Sequence, residues 1–142
     1  RTPATDPPGP VLLDAAWARL WAPSPGRRVS RLVMEWLAEE SERGVRSYDL
    51  IFVDPPTFSR SKRMEDDFEV QRDHVVLLQQ AARLLAPGGT IVFSNNYTRF
   101  RLDTHGLGAF VIEDITRATI PKDFERNARI HCCFMLTPRG TD

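Results

Sequence analysis

The stretch Tyr48–Phe58, which reads Tyr-Asp-Leu-Ile-Phe-Val-Asp-Pro-Pro-Thr-Phe, decides the fold that this sequence predicts. Its apolar run Leu50–Val53 is typical of a buried strand, and the run ends at Asp54. Pro55 and Pro56 follow, and because proline has no backbone N–H and a fixed φ, the strand cannot continue through them. The stretch therefore predicts a stiff corner at the carboxyl end of a central strand, where open α/β sheets bind their ligands.

This corner carries groups that suit the binding of a flat, polar molecule. Asp54 supplies a carboxylate, and the ring of Phe58 could stack on a planar substrate. The backbone carbonyls beside Asp54 are further acceptors, because the prolines have no N–H that could donate to them. An amino or imine nitrogen of a nucleobase is the kind of group that such a corner could hold. The alternative is a plain turn, because Asp and Pro are common in turns. The strand before the corner and the aromatic residue after it favour binding.

The composition indicates one domain without a global preference for nucleic acid. The chain has 142 residues, of which 42% are hydrophobic, and its nineteen basic residues balance nineteen acidic ones. A site for nucleic acid would therefore have to be a local patch. No signal-peptide pattern opens the chain, and no apolar run reaches the roughly 18 residues of a membrane span. The adjacent Cys132 and Cys133 predict free thiols in a reducing cytoplasm rather than a disulfide or a metal site.

The rest of the chain predicts a parallel α/β arrangement that ends in an antiparallel hairpin. Predicted helices cover residues 11–22, 30–43 and 70–85, and predicted strands cover residues 50–53, 90–94, 111–116 and 130–137. Pro87–Gly89 lies between the third helix and the second strand, and this order predicts a parallel crossover with a turn at Pro87–Gly89. The last two strands are expected to pair with each other.

Eight short motifs, taken in chain order, resemble those of a bacterial family, the ribosomal RNA large-subunit methyltransferases K/L. They are Asp54–Phe58, Ser61–Met64, Val70–His74, Pro87–Gly89, Phe93–Asn96, Asp123–Phe124, Arg126–Asn127 and Ile130–His131. The family belongs to the class I methyltransferases, which use S-adenosylmethionine on a Rossmann-like sheet. The resemblance implies an α/β fold in which residues 29–142 form a partial catalytic domain, the C-terminal half. Residues 1–28, a Pro-rich arm and a short helix, are unlike the family.

The resemblance also implies an activity and a set of site residues. In this family the corresponding half methylates guanine N7 in 23S ribosomal RNA, with S-adenosylmethionine as the methyl donor. The catalytic residues implied here are Asp54, Pro55, Pro56 and Phe58, and Asp54 and Pro55 would also lie beside the cofactor. The residues implied to contact RNA are Lys62, Arg63, Asn95, Asn96, Arg126 and Asn127. Guanine N7 has a lone pair in the neutral base, so Asp54 is expected to orient the base rather than to move a proton.

The residues before Tyr48 depart from the family pattern. They contain no glycine-rich turn after a strand and no convincing acid at the end of a second strand, the two features that hold the cofactor in such folds. Binding of S-adenosylmethionine by this chain alone is therefore in doubt. The sheet would also lack about three strands, which leaves a central strand at its edge. We expect self-association or a missing N-terminal methyltransferase segment to cover that edge.

Two alternative functions follow from these departures and from the cysteines. The chain could be a truncated or degenerate methyltransferase remnant that binds RNA or a partner without catalysis. A cytosine-C5 methyltransferase is disfavoured, because that chemistry needs a cysteine nucleophile near the base, whereas Cys132 and Cys133 lie late in the chain.

Two further polar features have both a structural and a functional interpretation. The basic cluster of Arg60, Lys62 and Arg63 is followed directly by the acidic run Glu65–Asp67, so this loop is either an RNA contact or a solvated loop of mixed charge. His131 could serve as a metal ligand or a catalyst, but a lone histidine in a predicted strand is more typical of a structural residue.

Overall fold

The computed structural model describes residues 12–13, 33–44, 48–59 and 68–140. The strands are β1 (Leu12–Leu13), β2 (Tyr48–Val53), β3 (Phe58–Ser59), β4 (Phe68–Glu69), β5 (Leu85–Asn95), β6 (Phe110–Asp114) and β7 (Cys132–Pro138). The helices are α1 (Val33–Glu42), α2 (Val70–Ala82) and α3 (Thr116–Thr119), with a 3-10 helix at Lys122–Phe124. None of the helices in these ranges is long and apolar enough to cross a membrane.

Five strands form one mixed sheet in the order β1-β2-β5-β7-β6, and β3 and β4 form a separate two-stranded hairpin. β1, β2 and β5 are parallel, whereas β7 is antiparallel to both of its neighbours. The step from β2 through α2 to β5 is the predicted parallel crossover. β6 and β7 pair as the predicted antiparallel strands. The predicted α/β fold class is thus confirmed.

The core lies between α2 and one face of the sheet. Residues alternate along β2, so that Ile51 and Val53 are buried while Leu50 and Phe52 are exposed on the other face. The helix side of this core is built by apolar residues that recur at helical spacing in α2, with one contribution from α1: Val70, Leu77, Leu78, Ala81 and Leu37. This packing fixes the direction of β2 and β5, and their carboxyl ends therefore lie side by side.

Two expectations about local structure are wrong. Leu12 and Leu13, expected to be helical, form a strand that pairs in parallel with Phe52 and Val53. The pairing partner is some forty positions away in the sequence, so the local apolar spacing carried no sign of it. The remainder of that predicted helix, residues 14–22, lies outside the described residues, as do the rest of the Pro-rich arm and the predicted start at 30–32 of the second helix.

The Pro-Gly-Gly sequence lies inside β5 rather than between a helix and a strand. α2 ends at Ala82, and β5 already begins at Leu85, opposite Tyr48. The register shifts between Tyr48 and Leu50, and Gly88 has a φ of 78° at this irregularity. A Cβ on Gly89 would come within 2.9 Å of two backbone oxygens, those of Ala86 and Tyr48. The glycines therefore allow the strand to start early and to approach β2 closely.

Candidate active site

A cleft opens where β2 and β5 end, at the corner that the sequence singles out. Its volume is about 580 Å³, and Asp54, Pro55 and Pro56 form one wall. Pro55 is buried, whereas Asp54 and Pro56 are half-buried. β2 stops at Val53 because the two prolines have no N–H to continue the ladder, and the carboxylate of Asp54 is left at the strand end.

The second wall comes from the end of β5, where two neighbouring asparagines have different environments. Asn95 is buried, with 1% of its surface exposed, and its Oδ1 accepts a hydrogen bond of 3.1 Å from the backbone N–H of Tyr97. Asn96 is exposed. Both line the cleft. The Asn95 side chain thus holds the turn after β5, and Asn96 presents the more accessible amide.

A hydrogen bond links these two walls. The Thr57 hydroxyl, in the loop after the prolines, donates to Oδ1 of Asn96 over 3.1 Å. The backbone carbonyl of Thr57 in turn accepts a bond of 3.1 Å from the N–H of Val70, the first residue of α2. The loop that follows Asp54 is therefore attached both to α2 and to the end of β5.

The third wall joins α3 to the start of β7. Thr119 and His131 both line the cleft, and the Thr119 hydroxyl lies 2.9 Å from Nε2 of His131. The same hydroxyl lies within hydrogen-bond distance of the carbonyls of Ile115 and Thr116, at 3.2 and 3.0 Å. Because those carbonyls can only accept, the hydroxyl proton is directed to them and Nε2 of His131 is the donor to Thr119. The local pattern gave no sign of Thr119, which lies in a short helix that the sequence did not predict.

Cys133 is buried against this cleft. Burial raises the pKa of its thiol, the hydroxyl of Thr119 lowers it, and the negative charge of Asp54 adds to the increase. Asp54 and Cys133 both line this cleft. Within the described residues, no cluster of three or more His, Cys, Asp or Glu side chains could hold a metal ion.

Three described residues that the resemblance implies, Phe58, Arg126 and Asn127, do not belong to these three walls. Phe58 begins the small β3–β4 hairpin and is 49% exposed. Arg126 and Asn127 are exposed in the turn after the 3-10 helix. They are not among the residues that line the cleft. Lys62 and Arg63, together with the rest of residues 60–67, lie outside the described residues.

Comparison with curated proteins identifies close relatives of this segment. The chain is 54% identical over 106 residues to ribosomal RNA large subunit methyltransferase K/L of Aeromonas hydrophila, which is 73% of this chain and 14% of that protein. It is 53% identical over 112 residues to the protein of the same name from Hahella chejuensis, which is 79% of this chain and 15% of that protein. The chain thus spans about one-seventh of the length of these relatives. No protein-family model matches it.

Comparison with solved structures identifies the fold. The methyltransferase SMU.776, solved in complex with SAH, aligns with a TM-score of 0.56 and 21% identity over 75% of this chain and 30% of that one. The SAM-dependent methyltransferase from Agrobacterium tumefaciens aligns with a TM-score of 0.51 and 16% identity over 75% of this chain and 38% of that one. The solved structures agree with the fold that the resemblance implies, and the curated relatives agree with the family that the sequence motifs resemble. Over about three-quarters of its length the chain is therefore a homologue of one segment of ribosomal RNA large subunit methyltransferase K/L, with the fold of a class I S-adenosylmethionine-dependent methyltransferase.

Proposed function

We propose that this chain carries the methyl-transfer site of a large-subunit ribosomal RNA methyltransferase that acts on guanine N7. The observation that carries the proposal is the position of the Asp54–Pro55 corner, at the carboxyl end of β2 and in a cleft of about 580 Å³ shared with Asn96. That volume lies within the range of pockets that bind small molecules and nucleotides. The sequence identity to the K/L relatives supports ribosomal RNA as the substrate.

The corner fits the methyl end of S-adenosylmethionine. The cofactor supplies an activated methyl group on a positively charged sulfonium, and the carboxylate of Asp54 suits a cation in a half-buried place. Apolar surface from Phe52 and Val92 lies in the same cleft. Asp54 and the backbone of Pro55 would hold this end of the cofactor.

For methyl transfer to guanine N7, the main task of this chain is to align the base with the methyl group. Guanine N7 carries its lone pair in the neutral base, so no general base is required, and the main contribution is to hold the base in line with the methyl group. The Asp54 carboxylate orients the base as a hydrogen-bond acceptor. The half-exposed ring of Phe58 stacks on the base from the hairpin that follows the corner.

Contacts with the RNA backbone are proposed for residues around the rim. Arg126 and Asn127 are exposed, and the Asn127 side chain accepts a bond of 3.3 Å from the N–H of Arg129, which orders this turn. Lys62 and Arg63 are proposed as phosphate contacts from the sequence alone. A cation that contacts a phosphate contributes to affinity in a salt-dependent way, so these residues would act on binding rather than on the chemical step.

A second candidate function is favoured by the exposed apolar side chains next to the cleft. Leu50 is 63% exposed and Phe52 is 38% exposed, and among the described residues β1 pairs with only the last two residues of β2. Such a surface suits a chain that binds RNA or a protein partner without catalysis. The two functions differ in whether the purified chain binds S-adenosylmethionine and transfers its methyl group.

The first experiment is isothermal titration of the purified chain with S-adenosylmethionine, with its mass in solution measured in parallel. Micromolar binding would support methyl transfer by this chain. A folded sample that shows no binding would contradict a complete cofactor site in this chain and favour the function without catalysis.

The second experiment tests the placement of the site. We expect Asp54→Ala and Phe58→Ala each to abolish transfer of a labelled methyl group to a 23S ribosomal RNA fragment, because the base loses its acceptor or its stacking surface. Both side chains are partly exposed, so the fold should survive, as circular dichroism would show. Val76→Ala, at an equally exposed position on α2, is the control and should keep full activity. Full activity of either site variant would show that the site is misplaced.

A further inference from the structure

We propose that a second cleft, at the end of the sheet opposite the candidate active site, binds the phosphate backbone of RNA through Arg83 and Arg139. We call it the arginine cleft. The inference deepens the proposed function and rests on it for the choice of RNA as the anionic partner. It adds a binding site that is separate from the cleft at Asp54 and from the RNA contacts proposed around its rim.

The arginine cleft lies where α2 ends and β5 begins. Its volume is about 510 Å³, and it is lined from the end of α2, the start of β5, the start of β6 and the end of β7. β5 has 11 residues, and at about 3.3 Å per residue its two ends lie roughly 30 Å apart. β7 is antiparallel to β5, so its last residue, Pro138, lies at the same end of the sheet as Leu85. The two clefts share no lining residue.

The charged side chains that line this cleft are all cationic. Arg83 follows the last residue of α2 and Arg139 follows β7, and no Asp or Glu is among the described residues of the lining. Neither arginine forms an ion pair with another described residue. Because the chain as a whole has equal numbers of basic and acidic residues, this is a local concentration of positive charge. An anion in the cleft would meet two guanidinium groups and no carboxylate of the lining.

The guanidinium group of Arg139 is already held in place. Its Nε donates a hydrogen bond of 3.0 Å to the carbonyl of Gly108. The backbone N–H of Arg139 donates to the carbonyl of Ala109 over 2.8 Å. These bonds leave the terminal nitrogens Nη1 and Nη2 for an external acceptor, and a guanidinium group suits a phosphate because it can donate two parallel bonds. Since the side chain is fixed before binding, less conformational entropy is lost when the anion binds.

The rest of the lining is mostly apolar, which favours a nucleotide over a simple anion. Leu85 and Phe110 are buried beneath the cleft, and the rings of Pro87 and Pro138 are exposed. A nucleotide combines a charged phosphate with the apolar face of a base, and proteins that bind single-stranded RNA offer a positive groove beside surfaces for the bases. An acidic peptide has carboxylates but lacks flat apolar groups. RNA is also long enough to occupy both clefts at once, and the second contact would then raise the affinity of the first.

The test is a nuclear magnetic resonance titration of the ¹⁵N-labelled full chain with hexauridylate, inorganic phosphate and hexaglutamate, in the absence of a methyl donor. We expect hexauridylate to shift the amide signals of Gly88, Ala109 and Gly140 and to bind there more tightly than hexaglutamate. Inorganic phosphate should shift the same signals only at higher concentration, because it cannot use the apolar surface.

Two variants and a control test the role of the arginines. Arg83→Gln and Arg139→Gln should each weaken the binding of hexauridylate at these signals about threefold to tenfold, and should each lower the slope of log affinity against log salt by about 0.7. Both side chains are exposed, so both variants should remain folded, as circular dichroism would show. Arg117→Gln removes an exposed arginine from α3, at the other end of the sheet, and should leave binding at the arginine cleft unchanged.

The outcomes separate this inference from the proposed function. A response to hexauridylate confined to the cleft at Asp54, tighter binding of hexaglutamate, or a response to phosphate alone would overturn the inference, and so would unchanged affinity in either folded glutamine variant. RNA binding at the arginine cleft by a chain that transfers no methyl group to ribosomal RNA would support the inference and remove the proposed function. Methyl transfer by a chain whose arginine variants keep the wild-type affinity would do the reverse.

Discussion

The two cysteines of β7 occupy neighbouring positions whose side chains face opposite sides of the sheet. Cys132 lies on the same side as Asn95, and its thiol donates a bond of 3.7 Å to the Asn95 carbonyl. Burial raises the pKa of Cys132 from 9.0 to about 11, against hydrogen bonds with Asn95 that lower it. Burial raises the pKa of Cys133 as well. Because the thiolate is the reactive form, both raised pKa values make the thiols less reactive at neutral pH than a free cysteine, which fits structural residues rather than nucleophiles.

This shift predicts how stability depends on pH. Between pH 9 and about 11 the folded chain holds the Cys132 proton more tightly than the unfolded chain does. The free energy of unfolding should therefore be highest below pH 9 and fall as the pH rises through this window. Urea unfolding followed by circular dichroism at several pH values would measure it. In Cys132→Ala the free energy of unfolding should decrease less over this pH window. The decrease that remains is due to Cys133 and to Tyr48, whose pKa values are also raised by burial. Equal slopes in the two proteins would contradict the assignment.

Residue by residue, the sequence could predict the groups whose role is decided by their immediate neighbours. The Asp54 corner follows from two prolines after an apolar run, and the structure places it at a strand end facing a cleft. The difference between Asn95 and Asn96 could not be predicted in the same way, because it depends on which face of β5 meets the core. The pairing of Thr119 with His131 depends on two elements that approach each other only in the folded chain.

At the scale of elements, α2 is attached to the rest of the core through a buried histidine. His74 is 1% exposed, and its Nδ1 lies 3.0 Å from the carbonyls of Val70 and Gln71, to which it can only donate. Nε2 therefore accepts the backbone N–H of Asp103 over 3.1 Å. The ring also packs edge-on against Phe100, with the ring centres 4.9 Å apart. Together with Gln71 and Gln79, which hydrogen-bond with Arg101 and Gly106, this side chain attaches the loop after β5 to the helix.

We expect His74→Leu to lower the free energy of unfolding by about 1–3 kcal/mol, because it removes the acceptor of the part-buried N–H of Asp103. Urea denaturation monitored by tryptophan fluorescence would measure the loss. Val76→Ala, at an exposed position of the same helix, is the control and should change the value by no more than about 0.5 kcal/mol. A His74→Leu variant as stable as this control would mean that the bond to Asp103 does not stabilise the fold.

Elements whose apolar residues recur at a regular spacing could be predicted from the sequence. Elements that form only through pairing with residues far away in the sequence could not. α2 repeats its apolar residues at helical spacing, and the structure confirms a helix from Val70. β1 is a strand only because Leu12 and Leu13 pair with β2, and a two-residue segment has no period of its own. The early start of β5 depends on the close approach of Gly89 to Tyr48, which is likewise a contact between separate strands.

On the scale of the whole molecule, the elements that the structure describes cover the two faces of the sheet unequally. One face packs against α2, whereas the other carries a row that runs from Leu50 through Thr90 and Thr137 to Val111. Leu50 is 63% exposed and Val111 is 53% exposed at the two ends of this row. In the described part of the chain, β1 pairs with only the last two residues of β2. Exposed apolar side chains on one face of a sheet favour association with another chain.

We therefore expect the purified chain to associate with itself through this face, so that its average mass in sedimentation equilibrium rises with concentration. Leu50→Lys should shift the mass towards that of the monomer, because a charge in the contact would have to be desolvated. Val76→Lys adds the same charge at an exposed apolar position on α2, which covers the opposite face, and should leave the association unchanged. An equal shift in both variants would point to net charge rather than to this face. A wild-type chain that stays monomeric would contradict self-association and leave an N-terminal methyltransferase segment as the expected cover.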